Sequence, residues 1–295
     1  MTATPQTVAV TTAVAKPTAT EVHRRRVDKT FYVMLLPVVL LFTLFITVPA
    51  VVGMFYSITN YVGYGEWEFT GLTNYIAIFN DPRILRSYGF TLGFSVVTVI
   101  VVNIIALALA LGLSAKIKLK TALRGVYFIP LVVSGIVIAY VFNYLFSTSL
   151  PTLASTLGIE SLQNNILADE RFAWIAIVVV TAWQAIPGEV YEAASIDGAK
   201  AWRQFRSITF PLVLGYVVIN TILGFKGFLN AYDIIVGLTN GGPGTSTFSV
   251  AMTIFTGFTS GDYAYQMANA VIFFIVTVVI SLLQLRLIQR RGVSL

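Results

Sequence analysis

Residues 31–58 read FYVMLLPVVLLFTLFITVPAVVGMFYSI, a run of 28 residues without a single Asp, Glu, Lys or Arg. The hydrocarbon core of a bilayer is about 30 Å thick, and a helix of about 20 apolar residues crosses it. A backbone in hydrocarbon has no water to bond to, so a run of this kind has to be helical. The stretch therefore predicts a transmembrane helix.

Five further apolar runs follow along the chain. Four of them are long enough to span a bilayer and occupy residues 88–113, 125–146, 211–238 and 264–288, and a shorter one occupies 172–186. The strands of a membrane β-barrel would be about 10 residues long and would alternate in polarity, so a barrel is excluded. We expect an all-α, polytopic membrane protein with about six transmembrane helices.

The run 172–186 departs from this pattern because it is short. Its 15 residues fall below the usual minimum of about 17 for a spanning helix. Three explanations stay open. The span is truncated, the loop that follows is drawn into the membrane, or the bilayer thins locally.

The composition of the 295-residue chain excludes several classes of protein. Hydrophobic residues make up 57% of it and charged residues only 11%, whereas soluble domains carry roughly a quarter charged residues. The basic residues are separated by apolar runs, which argues against a nucleic-acid-binding protein. There is no cysteine and one histidine, His23, so disulfides, thiolate chemistry and cysteine metal sites are excluded.

The distribution of Lys and Arg predicts the orientation of the spans. If the N-terminus is cytoplasmic and all six runs cross, fifteen of the 19 Lys and Arg residues lie on the cytoplasmic side. Cytoplasmic loops carry such an excess. We therefore expect a flexible cytoplasmic tail over residues 1–29, a transmembrane domain over 30–290 and a cytoplasmic tail over 291–295. Both termini would be cytoplasmic.

The polar stretch 187–210 reads PGEVYEAASIDGAKAWRQFRSITF. Its acidic residues Glu189 and Glu192 favour the start of a helix, and Gly198 permits a sharp reversal. The stretch therefore predicts a helix–turn–helix knob on the cytoplasmic side. The alternative is an ordinary amphipathic loop that lies on the bilayer surface.

The spacing of certain residues makes the sequence of this loop distinctive. Glu192-Ala193-Ala194 is followed after three residues by Gly198, after nine more by Ile208, and then by Pro211. The pattern resembles the EAA loop of the permease subunits of bacterial ABC importers. The short sequence motifs at residues 128–130, 232–235 and 238–243 resemble those of the carbohydrate-uptake branch of that family, close to the maltose and glycerol-phosphate permeases.

The resemblance implies a type I ABC importer permease in a bacterial inner membrane. It implies that the loop contacts a separate ATPase and transmits its closure to the spans, through Glu189, Glu192, Ala193, Ala194, Asp197, Gly198, Ile208 and Pro211. It also implies a second, homologous permease, two ATPase copies and an external solute-binding protein. The chain has no G-x-x-x-x-G-K-[ST] motif, so ATP and Mg²⁺ are expected on the ATPase and no cofactor on this chain.

Polar residues inside apolar runs are candidates for the substrate path, because ionisable groups in a membrane are costly. Lys226, Asn230 and Asp233 are spaced i, i+4 and i+7, which would line one face of the fifth span and could bind a polyol. The alternative is structural, with Lys226 paired to Asp233. Weaker candidates are Asn143, Tyr144 and Asn220, which could equally join helices, as well as Gln266 and Asn269. Gly241, Gly242 and Pro243 predict an outer turn.

These observations predict a subunit of an ATP-driven importer of a sugar or related polyol, without an enzymatic activity of its own. Two other functions stay open. An ion-coupled secondary transporter would use Lys226 and Asp233, although no inverted repeat typical of that class is evident. A membrane scaffold would have no transport role.

Overall fold

The computed structural model describes residues 29–114, 132–185 and 210–290. Most of them are helical. The helices are α1 Lys29–Phe42, α2 Val48–Tyr56, α3 Thr73–Phe79, α4 Pro82–Ser114, α5 Gly135–Tyr144, α6 Leu150–Leu157, α7 Glu170–Gln184, α8 Phe210–Leu229, α9 Asp233–Leu238, α10 Val250–Thr259 and α11 Tyr263–Arg290. Within these ranges β-pairing is limited to an isolated bridge between Thr59 and Phe69. The prediction of an all-α membrane protein is confirmed.

The chain divides into two compact units, residues 1–49 and 50–295. In the first unit, α1 continues into a π-helical turn at Thr43–Thr47, where the Val48 N–H bonds to the Thr43 carbonyl. Pro49 follows directly and has no N–H to donate. The wider turn before the proline therefore lets the helix continue.

The second unit contains a π-helical turn of the same kind before a proline. A π-helical turn at Leu145–Ser149 joins α5 to α6, with the Leu150 N–H bonded to the Leu145 carbonyl just before Pro151. The two helices therefore form one continuous helical segment, Gly135–Leu157, with 23 residues. The sequence places the end of this span at residue 146, so the helix reaches well into the expected outer loop. Proline at the first turn of a helical segment is tolerated, which explains why Pro151 does not end it.

Four helical segments in the described ranges are long and apolar enough to cross a membrane. They are Tyr32–Tyr56, Pro82–Leu109, Gly135–Leu157 and Tyr263–Arg286, and the apolar stretches of α8 and α10 are shorter, at Val217–Leu229 and Val250–Thr259. The total of six spans stays a prediction. The short run at 172–186 corresponds to α7, which has 15 residues and begins at Glu170.

The run 211–238 is not one helix, which corrects the expectation from the sequence. α8 ends at Leu229, three residues lie outside helix, and α9 begins at Asp233. The N–H groups of Asn230 and Ala231 bond three residues back, to Gly227 and Phe228. These bonds to the third residue back replace the α-helical bonds to the fourth and end the helix. The hydropathy of the sequence does not indicate where this happens.

The core of the second unit lies where four helices meet. Phe94 of α4, Ile177 of α7, Leu229 of α8, and Ile235 and Leu238 of α9 are all fully buried there. Lipid is as apolar as these side chains, so the helices are held together by close packing more than by a hydrophobic driving force. Much of α7 is buried, mainly against the 33-residue helix α4, so packing holds in place a helix too short to span alone.

The helices α9 and α5 approach each other closely at Gly237. A Cβ placed on Gly237 would lie 2.7 Å from the Ala139 Cβ and 3.2 Å from the Ile136 carbonyl oxygen. The Asn143 side-chain amide donates a 2.6 Å hydrogen bond to the Leu238 carbonyl across the same contact. Glycine at 237 is therefore needed for the close approach of the two helices.

We expect Gly237→Ala to lower stability by about 1–3 kcal/mol, the usual cost of overpacking. Gly227→Ala is the matched control, because a Cβ there meets no atom within 4 Å and alanine favours a helix over glycine by about 1 kcal/mol. The measurement is the free energy of unfolding in mixed detergent micelles. Equal stability of the two variants would contradict the close contact.

Candidate functional site

The expected coupling loop lies almost wholly outside the described residues. This applies to Glu189, Glu192, Ala193, Ala194, Asp197, Gly198 and Ile208. Pro211 is the second residue of α8, a position where its missing N–H costs no helical hydrogen bond. The loop therefore leads directly into α8, and its contact with an ATPase stays a prediction.

The break after α8 changes the geometry expected for Lys226, Asn230 and Asp233. Lys226 lies in the last turn of α8, Asn230 follows the helix, and Asp233 is the first residue of α9. The three residues do not form one stripe along a single helix, so that expectation is wrong. Asp233 instead places a carboxylate at the start of α9, where the helix dipole favours negative charge.

The two opposite charges in this group do not neutralise each other. The one ion pair among the described residues joins Asp81 and Arg83, at 3.0 Å. Lys226, Asn230 and Asp233 are all exposed, and the Asn230 amide donates to the Lys226 carbonyl at 2.9 Å. Within the described residues Lys226 and Asp233 therefore form no ion pair with each other, and both charged side chains are exposed.

The weaker candidates separate into two kinds. Asn143 joins α5 to α9 through the Leu238 carbonyl, as described above. The Asn220 amide donates to the Asn103 side-chain oxygen at 3.3 Å, and the Asn103 amide donates to the Thr221 hydroxyl at 3.2 Å. These asparagines therefore connect helices α4 and α8. Tyr144 is 62% exposed and stays a candidate for contact with solute.

Gln266 and Asn269 lie inside the second unit. Asn269 is fully buried and Gln266 is 4% exposed. The Asn269 amide donates to the Gln266 side-chain oxygen at 3.2 Å, and the Tyr88 hydroxyl donates to the Asn269 side-chain oxygen at 3.0 Å. This buried network fixes α11 against α4, so neither residue lines an open surface of this chain.

The structure has a turn at the predicted position of the outer turn, Gly241, Gly242 and Pro243, and its location on the outer side stays a prediction. Asn240 and Gly241 have positive φ angles of 49° and 81°. The Thr247 hydroxyl donates to the Gly242 carbonyl at 2.8 Å, and the Thr239 and Thr247 hydroxyls lie 2.9 Å apart. Asparagine and glycine are the residues that adopt such angles most readily.

Ser249 has a structural role that its local sequence does not indicate. Its hydroxyl accepts from the Met252 N–H as the N-cap of α10, and it donates to the Ala231 carbonyl at 3.1 Å. Ser249 therefore connects the outer turn to the break after α8. Serine is a preferred N-cap residue, but its second partner is 18 residues away and could not be read from local sequence.

A second hydrogen-bonded group of side chains lies at the start of α4. The Asp81 carboxylate accepts from the backbone N–H of Arg83 at 2.9 Å and from the Arg83 guanidinium at 3.0 Å, and the Tyr265 hydroxyl donates to it at 3.3 Å. The hydrogen bond from Arg83 lowers the pKa of Asp81 below its usual value. The carboxylate caps α4 and ties it to α11.

A double-mutant cycle with Lys226→Ala and Asp233→Ala tests the separation of the two charges. The effects on the free energy of unfolding should add within about 0.5 kcal/mol, because the residues are not paired. The control cycle, Asn103→Leu with Thr221→Val, removes a hydrogen bond and should show a coupling of about 0.5–1.5 kcal/mol. A larger coupling for the charged pair would show that it forms a structural ion pair.

Several known proteins are similar to this chain in sequence. Residues 103–293 match the family of binding-protein-dependent transport system inner membrane components. The multiple sugar-binding transport system permease protein MsmF of Streptococcus mutans is 33% identical over 82% of this chain and 89% of its own length. The trehalose/maltose transport system permease protein MalF of Thermococcus litoralis is 31% identical over 88% of this chain and 94% of its own length.

A solved structure shows the same fold. It is a bacterial alginate ABC transporter in complex with an alginate pentasaccharide-bound periplasmic protein, with a TM-score of 0.74 and 18% identity over 90% of this chain and 96% of the matched chain. The resemblance to ABC importer permeases is confirmed, and the relatives are transport subunits rather than enzymes. The chain belongs to the family of binding-protein-dependent transport system inner membrane components.

Proposed function

We propose that this chain is a membrane-spanning subunit of an ATP-driven importer whose solute is a sugar or related polyol. The observation that carries the proposal is the 33% identity over most of both chains with a multiple sugar-binding transport permease. Other relatives are named for starch degradation products and for sn-glycerol 3-phosphate. The ion-coupled alternative finds no support among these relatives.

The assembly would contain several chains. The family is defined by dependence on a binding protein, which supports an external solute-binding partner. A second, homologous permease and two ATPase copies would complete it, with ATP and Mg²⁺ held by the ATPases. The charge distribution of the loops supports a bacterial inner membrane protein with both termini in the cytoplasm.

The coupling loop 187–210 would transmit movement from the ATPase to this chain. Glu189, Glu192, Ala193, Ala194, Asp197, Gly198, Ile208 and Pro211 are its proposed contact and turn residues. α8 starts at Phe210 and has 20 residues, about 30 Å of helix. A displacement of the loop would therefore be carried along α8 to the break at residues 230–232.

The non-helical break at residues 230–232 supports a role for this region in the solute path. Irregular backbone at membrane depth is tolerated where it is buried in protein or lines an aqueous cavity. Exposed polar side chains flank this break, since Lys226 precedes it, Asn230 lies in it and Asp233 follows it. We assign these three residues to the path, together with Tyr144. Asn143 and Asn220 support the path by joining the helices around it.

The energy source can be tested with the complete transporter in proteoliposomes. Radiolabelled sugar uptake should require the binding protein and ATP inside the vesicles, and it should persist when ionophores collapse the ion gradients. A requirement for an ion gradient instead of ATP would contradict the proposal. Vesicles without the binding protein serve as the control.

The coupling loop can be tested by Glu192→Ala and Gly198→Pro. Both should reduce binding-protein-stimulated ATP hydrolysis at least about tenfold, which corresponds to about 1.4 kcal/mol of lost coupling. The control is Glu160→Ala, on the 3₁₀ turn Glu160–Leu162, which should leave the stimulation unchanged. Full stimulation in both loop variants, with the assembly intact by size-exclusion chromatography, would refute the assignment.

A further inference from the structure

An open cavity of about 340 Å³ lies between the end of the break at Tyr232, α9, the outer turn and α10. Small-molecule sites usually enclose about 300–1,000 Å³, so this volume suits a small solute. The cavity does not include the three charged and amide residues predicted for the solute path. Lys226, Asn230 and Asp233 are not among its lining residues.

Three aromatic rings supply much of the apolar wall. They are Tyr232, Phe248 and Phe255, and the rings of Tyr232 and Phe255 contact each other at 5.2 Å between centroids. Phe255 is nevertheless 56% exposed, so much of its surface has no protein neighbour in this chain. A sugar ring has an apolar face of C–H groups that packs well on such an aromatic surface.

Polar groups at the same cavity have unused hydrogen-bonding capacity. Within the described chain, the Tyr232 hydroxyl and the Asn240 side-chain amide have no hydrogen-bond partner. The hydroxyls of Thr256 and Thr259 donate to the carbonyls of Met252 and Thr256, which leaves their oxygen lone pairs free to accept. These groups can donate to and accept from the hydroxyls of a sugar.

The charge of the cavity distinguishes between solute classes. None of its lining residues is Asp, Glu, Lys, Arg or His. A phosphate or carboxylate would need a basic partner on leaving water, and this wall offers none. A neutral sugar loses only hydroxyl hydration, which the amide and hydroxyl groups replace.

The rim of the cavity is held in place by the outer turn. Asn240 has a positive φ angle, and its N–H bonds to the Ile235 carbonyl at 2.9 Å. A Cβ on Gly241 would overlap the Phe248 ring, so the turn packs directly against one aromatic wall. The lining groups are therefore positioned before any solute arrives.

We infer that this cavity is a subsite for one ring of a neutral sugar at the outer end of the permease, with Tyr232 and Asn240 as hydrogen-bonding groups and Phe255 as the stacking surface. The inference rests on the proposed function and deepens it by specifying the solute class. It places solute recognition on the permease beside the break after α8, whose last residue, Tyr232, lines the cavity.

Site-directed labelling tests the subsite independently of transport. The chain has no cysteine, so Thr259→Cys introduces a single thiol into the cavity. Maleimide labelling of the purified transporter should slow at least about fivefold with maltose, trehalose, raffinose or glucose at millimolar concentration, and sn-glycerol 3-phosphate should not slow it. Ser260→Cys is the matched control, because Ser260 is exposed on the next position and does not line the cavity.

Three outcomes would overturn the inference. The first is that none of the four neutral sugars protects the thiol. The second is that sn-glycerol 3-phosphate protects it equally well. The third is that Thr259→Cys is unreactive before any solute is added while Ser260→Cys reacts, which would show that a lipid or a partner subunit occupies the cavity.

Uptake measurements give a second readout. For a sugar that protects the thiol, Tyr232→Phe and Phe255→Ala should raise the apparent KM about tenfold, as expected when a site loses a hydrogen bond or an apolar contact. Tyr64→Phe, on an exposed outer loop, should not change it. Unchanged KM in both cavity variants would refute the subsite even where ATP-driven uptake is intact. If the proposed function itself were wrong, the unmodified protein would show no ATP-driven sugar uptake.

Discussion

The structure depends on one constraint, which is that a backbone in hydrocarbon must satisfy its own hydrogen bonds. Continuous helices satisfy this constraint directly. Where Pro49 and Pro151 lack a backbone N–H, two π-helical turns allow the helix to continue. At the break after α8, side chains replace the missing backbone partners. Asn230 bonds to the Lys226 carbonyl, and Ser249 bonds to the Ala231 carbonyl. The irregular segment is therefore compatible with a position inside the membrane domain.

Close packing and a few polar bonds hold the helices together, because burial in lipid provides little driving force between them. Gly237 lets α9 approach α5, and Asn143 adds a hydrogen bond across that contact. Thr91 accepts from the Val250 N–H and so attaches the start of α10 to α4. The short helices α9 and α10 are thereby fixed against the longer ones, and they position the outer cavity.

The arrangement of these parts suits the proposed function. α8 connects the coupling loop on one side with the break on the other, and Ser249 connects the break with the outer turn. A movement imposed on the loop would therefore reach both the exposed polar residues near the break and the rim of the neutral cavity. Coupling over such a distance requires contiguous packed elements, and this route consists of one helix and two hydrogen-bonded junctions.

The sequence by itself determined the class of this protein. Long apolar runs can only be helices in a bilayer, and the spacing from Glu192 to Pro211 indicated the permease family, which the comparisons confirm. The tertiary structure decided the geometry of the polar residues. Hydropathy is continuous from 211 to 238, so the end of α8 and the separation of Lys226 from Asp233 could not be read from it. The roles of Asn143, Asn220 and Ser249 depend on partners far away in the chain. The neutral cavity exists only because α9, the outer turn and α10 pack together, and no local pattern specifies that contact.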